Sequence, residues 1–279
     1  MAINLELVGK KSDPEPFKYD QYRVILYALG IGAEVDQELD FVYEKNLKVF
    51  PTFAVIPMTP GMGALMGNLN LNWTAVLHGE QKIVLHKPIP PAGTLMLQGG
   101  VESVYDKGDN GAVVNISGQA RDESGDLVYE TAIVLMDRAG GNFGGDRGPK
   151  TEKIAPPEGQ TPDFKVDYKT SDDQAALYRL SGDKNPLHVD PDFAAMGGFK
   201  KPILHGLCTY GHTGRAILHS ICESDPARFK SLAARFTGVV FPGDTLTIEG
   251  WKAGEGRYVI QTKTQDGRMV LGNALAEVA

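Results

Sequence analysis

The stretch Gly206-Leu207-Cys208-Thr209-Tyr210-Gly211-His212-Thr213-Gly214-Arg215-Ala216-Ile217-Leu218-His219-Ser220-Ile221-Cys222-Glu223 decides the fold. Leu207, Tyr210, Ile217, Leu218 and Ile221 recur at helical spacing, which predicts a helix over 206–223 with one buried stripe. Gly211 and Gly214 weaken it locally and leave room for a strand or a ligand to approach closely. Strand-like runs follow at 233–240, 245–252, 257–264 and 269–277, separated by Pro-Gly, Gly-Glu-Gly and Gln-Asp-Gly turns. Consecutive strands with short turns make an antiparallel sheet, and the helix needs that sheet to bury its stripe. Before the helix, Thr170-Ser171-Asp172-Asp173 reads as a capping box that opens a shorter helix over 172–180, stopped by Gly182. The unit is α+β, an antiparallel sheet wrapped around a central helix.

The unit occurs twice. Leu26-Tyr27-Ala28-Leu29 returns as Leu177-Tyr178-Arg179-Leu180, 151 positions later, and Pro51 and Pro202 keep the same offset. So do Pro91, Thr94 and Leu95 against Pro242, Thr245 and Leu246. Gly125 and Ala132 pair with Gly267 and Ala274 at an offset of 142, so a hairpin in the first copy is longer by nine residues. Between the copies runs Gly140-Gly141-Asn142-Phe143-Gly144-Gly145-Asp146-Arg147-Gly148-Pro149, followed by a polar stretch to Pro162. With no apolar period after it, this is expected to be a linker and not a dinucleotide-binding glycine loop. The expected division is 1–139 for the first repeat, 140–162 for the Gly/Pro linker and 163–279 for the second repeat.

With 279 residues, 42% apolar and 23% charged, the chain has the balance of a packed protein of two ordinary domains. A formal charge of −7, from 35 acidic against 28 basic residues, argues against a nucleic-acid partner, which calls for a broad basic field. Cys208 and Cys222 do not make a disulfide framework. No window reaches the ~18 apolar residues of a membrane span. The polar start and the lack of a C-terminal Ser-Lys-Leu lead to the expectation of a cytoplasmic protein.

The chemistry concentrates in Tyr178-Arg179-Leu180-Ser181-Gly182-Asp183-Lys184-Asn185-Pro186-Leu187-His188-Val189-Asp190. Asp183 and His188 lie five residues apart across a proline, on a loop and not on a helix face. Such a pair can hold one water between an acid and an imidazole that titrates near neutrality. Other readings are a structural loop pair, or a calcium loop, for which Leu187, His188 and Ala194 stand at the wrong places. Cys208 with His205 or His212 is a conceivable nucleophile and base, since 208 and 212 share a helix face, although a packed thiol is the simpler reading.

The Asp183, Asn185, Pro186, His188 pattern followed by His205-Gly206 resembles the signature of the R-specific enoyl-CoA hydratase 2 family, or MaoC-like dehydratases. The resemblance extends through Tyr27-Ala28-Leu29-Gly30, Phe50-Pro51-Thr52-Phe53, Leu77-His78-Gly79-Glu80-Gln81 and Pro202-Ile203-Leu204-His205-Gly206. Within the family it is similar to the hydratase domain of peroxisomal multifunctional enzyme type 2. It implies a double hotdog fold and reversible hydration of a trans-2-enoyl-CoA to the (3R)-3-hydroxyacyl-CoA, with coenzyme A as part of the substrate and no metal or other cofactor. Asp183 and His188 would activate the water, Asn185 would order it, and the Gly206 N–H would meet the thioester oxygen. His78, Gly79, Lys107, Lys184, Pro186, Leu187 and Phe236 are the expected substrate-binding residues, with Glu44 as a further candidate. Arg179, Lys200, Lys201 and Arg235 stand behind Lys107 and Lys184 as groups for the coenzyme A phosphates.

An offset of 151 carries Asp183 and His188 back to Gly32 and Gln37, so a single site is expected, in the second repeat. A first repeat freed from chemistry is expected to pack loosely around the pocket and to admit long acyl tails. A homodimer is expected from the pairing of sheet edges in this fold. A hotdog acyl-CoA thioesterase and a non-catalytic acyl-CoA binding module are the alternative activities.

Overall fold

The computed structural model describes residues 3–61, 63–73 and 75–279. The first half contains β1 (Glu15–Tyr19), α1 (Gln21–Gly30), α2 (Val35–Val42), α3 (Val55–Gly61), α4 (Gly63–Gly67), β2 (Val76–Leu85), β3 (Gly93–Asp106), β4 (Ala112–Arg121) and β5 (Leu127–Asp137). The second contains β6 (Phe164–Lys169), α5 (Gln174–Tyr178), α6 (Pro191–Met196), α7 (Gly206–Ile221), β7 (Phe229–Phe236), β8 (Thr245–Gly254), β9 (Arg257–Thr264) and β10 (Met269–Val278). One antiparallel sheet runs β1-β3-β4-β5-β2-β7-β10-β9-β8-β6, so the strand order of one half is the mirror of the other. The halves join where β2 pairs with β7, from Glu80 opposite Arg235 to Val84 opposite Ser231. This is a double hotdog. The longer hairpin expected in the first copy is β3–β4, with strands of 14 and 10 residues against 10 and 8 in β8–β9.

The central helix α7 is buried on all sides from Cys208 to Leu218. What comes close at its glycines is neither a strand nor a ligand but Ile31, at the end of α1, and Thr52, in a 3-10 turn, both of the other repeat. A side-chain carbon at Gly211 would fall 2.3 Å from Ile31 Cγ2, and one at Gly214 would fall 2.3 Å from Thr52 Cγ2. The helical stretch of the first half that corresponds to α7 carries Pro57 and Pro60, which supply no N–H. No helix among the described residues is long and apolar enough to cross a membrane.

Several local expectations are corrected. The capping box does not form. The Thr170 hydroxyl donates to Asp244 O and accepts from Gly243 N–H, while the side chain of Gln174 accepts from Ser171 N–H. The helix is correspondingly short, and a 3-10 turn at Arg179–Ser181 completes it. The strand expected at 233–240 is β7, four residues earlier; past it, Thr237 N–H still donates to Val270 O of β10, and a side-chain carbon at Gly238 would fall 2.6 Å from Met269 O. Between β5 and β6 the chain has no helix or strand but is tied down. The buried Asp106 carboxylate accepts from Asn142 N–H and Gly144 N–H, and Asn273 Oδ1 accepts from Ile154 N–H.

Candidate active site

The loop that carries Asp183 begins at Gly182, whose φ of +154° is a conformation that side chains rarely adopt. Asp183 Oδ1 accepts from Asn185 N–H at 3.1 Å, and Asn185 Oδ1 accepts from Leu187 N–H at 3.0 Å. Asn185 thus caps the 3-10 turn Pro186–His188, with Pro186 at its first position, where no N–H is needed. Asp190 caps α6 by accepting from Asp192 N–H and Phe193 N–H. The polar side chains of this loop hold backbone, as a capped turn does and a calcium loop does not.

His188 is buried, and its Nδ1 lies 2.8 Å from Ile203 O. A carbonyl only accepts, so Nδ1 carries the proton of the neutral ring and Nε2 presents its lone pair. Nε2 stands 3.9 Å from Asp183 Oδ2, beyond direct hydrogen bonding. One water oxygen at about 2.8 Å from each would bridge them. Burial lowers the His188 pKa, against the opposing effects of the Ile203 bond and the Asp183 charge. His188 is therefore a neutral base facing an exposed carboxylate.

His205 was not foreseen as part of the site beyond its place in the motif. Its ring stacks on His188 with centroids 3.6 Å apart, and its Nε2 donates to Asp183 O at 3.1 Å. Burial first, and the neighbouring His188 second, push its pKa down to about 4. A neutral ring here does not oppose the positive charge that His188 acquires when it accepts a proton. The donors of Asp183, His188 and His205 lie within 4.8 Å of one another, as in a cation site. However, His188 Nδ1 and His205 Nε2 are already committed, and the remaining lone pairs belong to rings stacked at 27°. That leaves each ring one free nitrogen, His188 Nε2 and His205 Nδ1.

His205 is also the N-cap of α7 and makes no side-chain capping bond. Gly206 is thus the first residue of a buried helix whose dipole favours negative charge at that end. A side-chain carbon at Gly206 would lie 3.3 Å from two carbons of the Phe236 ring. Phe236 in turn meets His78 edge-on at 5.1 Å. His78 precedes a register shift in β2 that places Gly79 at a bulge. Burial pushes the His78 pKa down to about 4, with the Asp183 charge among the opposing effects. Asp183, Asn185, Pro186, Leu187, His188, His205, Gly206, Phe236 and His78 with Gly79 therefore form one neighbourhood built from both repeats.

Other candidates lie apart. Lys107 sits in the β3–β4 turn, three strands from β2, where its Nζ donates to Arg147 O. Lys184 is exposed beside Asp183, with its carbonyl accepting from Arg179 Nη2. Arg235 is withdrawn as a phosphate group, because it is held by Glu80 Oε1 across the β2–β7 seam. Glu44 is exposed in the turn after α2 and makes no hydrogen bond or ion pair among the described residues. Cys208 is no nucleophile. Its thiol points to Gly30 O at 3.3 Å, His212 Nδ1 is engaged by Cys208 O at 2.9 Å, and burial pushes the thiol pKa far up.

The chain matches two family models, the MFE-2 hydratase 2 N-terminal domain over residues 17–139 and the MaoC like domain over residues 153–273. It is 43% identical over 291 aligned residues to 3-hydroxyacyl-thioester dehydratase Y of Mycobacterium tuberculosis, covering 99% of each chain. A crystal structure of a MaoC-like dehydratase from Phytophthora capsici superposes with a TM-score of 0.89 at 32% identity, covering 99% of each chain. The full-length peroxisomal multifunctional enzyme type 2 of Drosophila melanogaster superposes with a TM-score of 0.81 at 40% identity. That match covers 96% of this chain, which spans about half (48%) of the fly protein. Sequence and fold agree that the chain belongs to the MaoC-like family of hydro-lyases, in its hydratase 2 branch.

Proposed function

We propose that the chain hydrates a trans-2-enoyl-CoA reversibly to the (3R)-3-hydroxyacyl-CoA, with Asp183 and His188 acting on one water. The observation that carries this reading is the His188 tautomer: Nδ1 is locked on Ile203 O, so a buried neutral Nε2 faces Asp183 Oδ2 at 3.9 Å. His188 Nε2 takes a proton from the bridging water as its oxygen bonds to C3 of the enoyl group. The π electrons move through C2 onto the thioester oxygen. The Gly206 N–H, at the start of α7, meets that negative charge. The enolate then collapses, and C2 takes a proton from the Asp183/His188 pair, which returns to its initial state. Water adds without change of oxidation state, so the step calls for no redox cofactor. Asn185 fixes the loop through Leu187 N–H, while Phe236 and His78 wall the thioester. Lys184 and Lys107 are proposed to meet the coenzyme A phosphates.

The test is incubation of the purified protein with a trans-2-enoyl-CoA, following loss of the conjugated thioester, chirality of the product and free thiol. The expected result is (3R)-3-hydroxyacyl-CoA with no thiol released. Release of coenzyme A would make the protein a thioesterase, and a folded protein that leaves the substrate unchanged would refute the reading.

A further inference from the structure

The duplication assigns Gly32 and Gln37 to the places that Asp183 and His188 hold in the second repeat. The space left by the missing acid is filled. A side-chain carbon at Gly32 would fall 2.8 Å from His212 Nε2 and 3.3 Å from Arg215 Nη1, both on α7 and both buried. Glu38, one residue beyond Gln37, enters from α2 at a point where the backbone leaves helical geometry, with φ −133° and ψ 37°. Its carboxylate accepts from Arg215 Nε and Nη2 at 2.6 Å each, from His219 Nε2 at 2.7 Å and from Glu34 N–H at 2.9 Å. The Arg215 guanidinium lies 4.1 Å above the Tyr168 ring, and His219 Nδ1 meets Ser224 Oγ at 2.8 Å. In the sequence, the residues 151 positions before His212 and Arg215 are Gly61 and Ala64, which have no side chain of that size.

We infer that Glu38 is a positioning residue for the reaction: through Arg215 it fixes α7, and with it His205 and the Gly206 N–H that begin that helix. Buried ion pairs add little net stability compared with apolar pairs of the same volume. What the two-pronged contact adds is direction, because it fixes both separation and orientation. It adds to the close approaches of Ile31 at Gly211 and Thr52 at Gly214, which are packing contacts without a polar fork. Arg215 lies nine residues from Gly206, about 13.5 Å along a rigid helix. An axial slip of about 1 Å at Arg215 is therefore a slip of the same size at the thioester, enough for a loss of about 100-fold.

The inference rests on the proposed hydration, and its test separates the two. Steady-state hydration is compared for the parent, Glu38→Leu with Arg215→Met, and Arg215→Lys, together with melting temperatures. The double variant removes both charges, so no buried charge is left unpaired, and its melting temperature is expected to stay near that of the parent. Its kcat is expected to fall at least ~10-fold with KM within about twofold. Arg215→Lys keeps the charge, loses the fork and is expected to lower kcat in the same sense. A folded double variant with parental kcat overturns the inference, and parental kcat in Arg215→Lys does so if the double variant does not fold. The imidazole resonances of His188 and His205 in the free proteins give a reading independent of turnover. They are expected to shift in the variants, and unchanged resonances overturn the inference. A folded parent without hydratase activity refutes the proposed function instead.

Discussion

Replacing Gly206 by proline removes one N–H and puts a ring methylene in its place. As the first residue of α7, Gly206 needs no intrahelical acceptor for that N–H. Proline is at home at this position, and His205, with φ −57° and ψ 134°, already has the extended geometry that proline demands of its predecessor. The steric price is set by Phe236, two of whose ring carbons would lie 3.3 Å from the new Cβ. Gly206→Ala bears that same contact and keeps the donor, so it is the control. A single donor to a developing oxyanion is worth ~10²–10³ in kcat, or ~2.7–4 kcal/mol. Gly206→Pro is therefore expected to turn over an enoyl-CoA about 100- to 1000-fold more slowly than Gly206→Ala, at similar KM and with melting temperatures within a few degrees. Stopped-flow or steady-state hydration assays on the two purified variants read the ratio directly. Equal turnover would show that the charge on the thioester oxygen is met elsewhere.

Glu38→Gln should lower stability by about 3 kcal/mol at pH 7, the value for a carboxyl held near 2 instead of 4.5. Burial raises that pKa, but the bonds from His219 and Arg215 outweigh it. Because the folded pKa is depressed, this stabilisation is full above pH ~4.5 and fades as pH falls towards 2. Urea unfolding of parent and variant across that range should show the gap closing, and a gap independent of pH would contradict the assignment. The acid limb of kcat/KM for hydration should lie below the usual imidazole value of about 6.5, since burial lowers the His188 pKa while Asp183, Ile203 O and Arg179 act on it in opposite senses. A limb above 6.5 would require a different base. Long enoyl chains should be hydrated about as well as the four-carbon substrate; a strict preference for the short one would count against a permissive first repeat.

Much of this arrangement is legible in the sequence. Residue pairs at a constant offset gave the two repeats, because corresponding turns and helix starts in a duplicated fold keep their prolines and glycines. The Asp183–His188 loop was legible because its caps are local, with Asn185 and Pro186 building the turn from neighbouring atoms. The start of β7 lies earlier than its local pattern indicates because Ser231 and Leu232 pair across the repeat seam and, with Phe229, with β10, a partnership that alternation within one strand does not reveal. Nothing local in the sequence singles out Glu38, Arg215 or His219, since their meeting spans 177 to 181 positions. The stacking of His205 on His188 depends equally on tertiary structure, although its adjacency to Gly206 in the motif was a usable signal.

The most direct test is a comparison of enoyl-CoA hydration by the parent, His188→Ala and Asp183→Asn, each shown to be folded by its melting temperature. The account predicts a loss of at least ~100-fold in kcat for each, as expected for removal of a general acid or base, while Gln37→Ala at the matching place in the first repeat stays at the parental rate. Turnover near the parental level in folded His188→Ala and Asp183→Asn would contradict it.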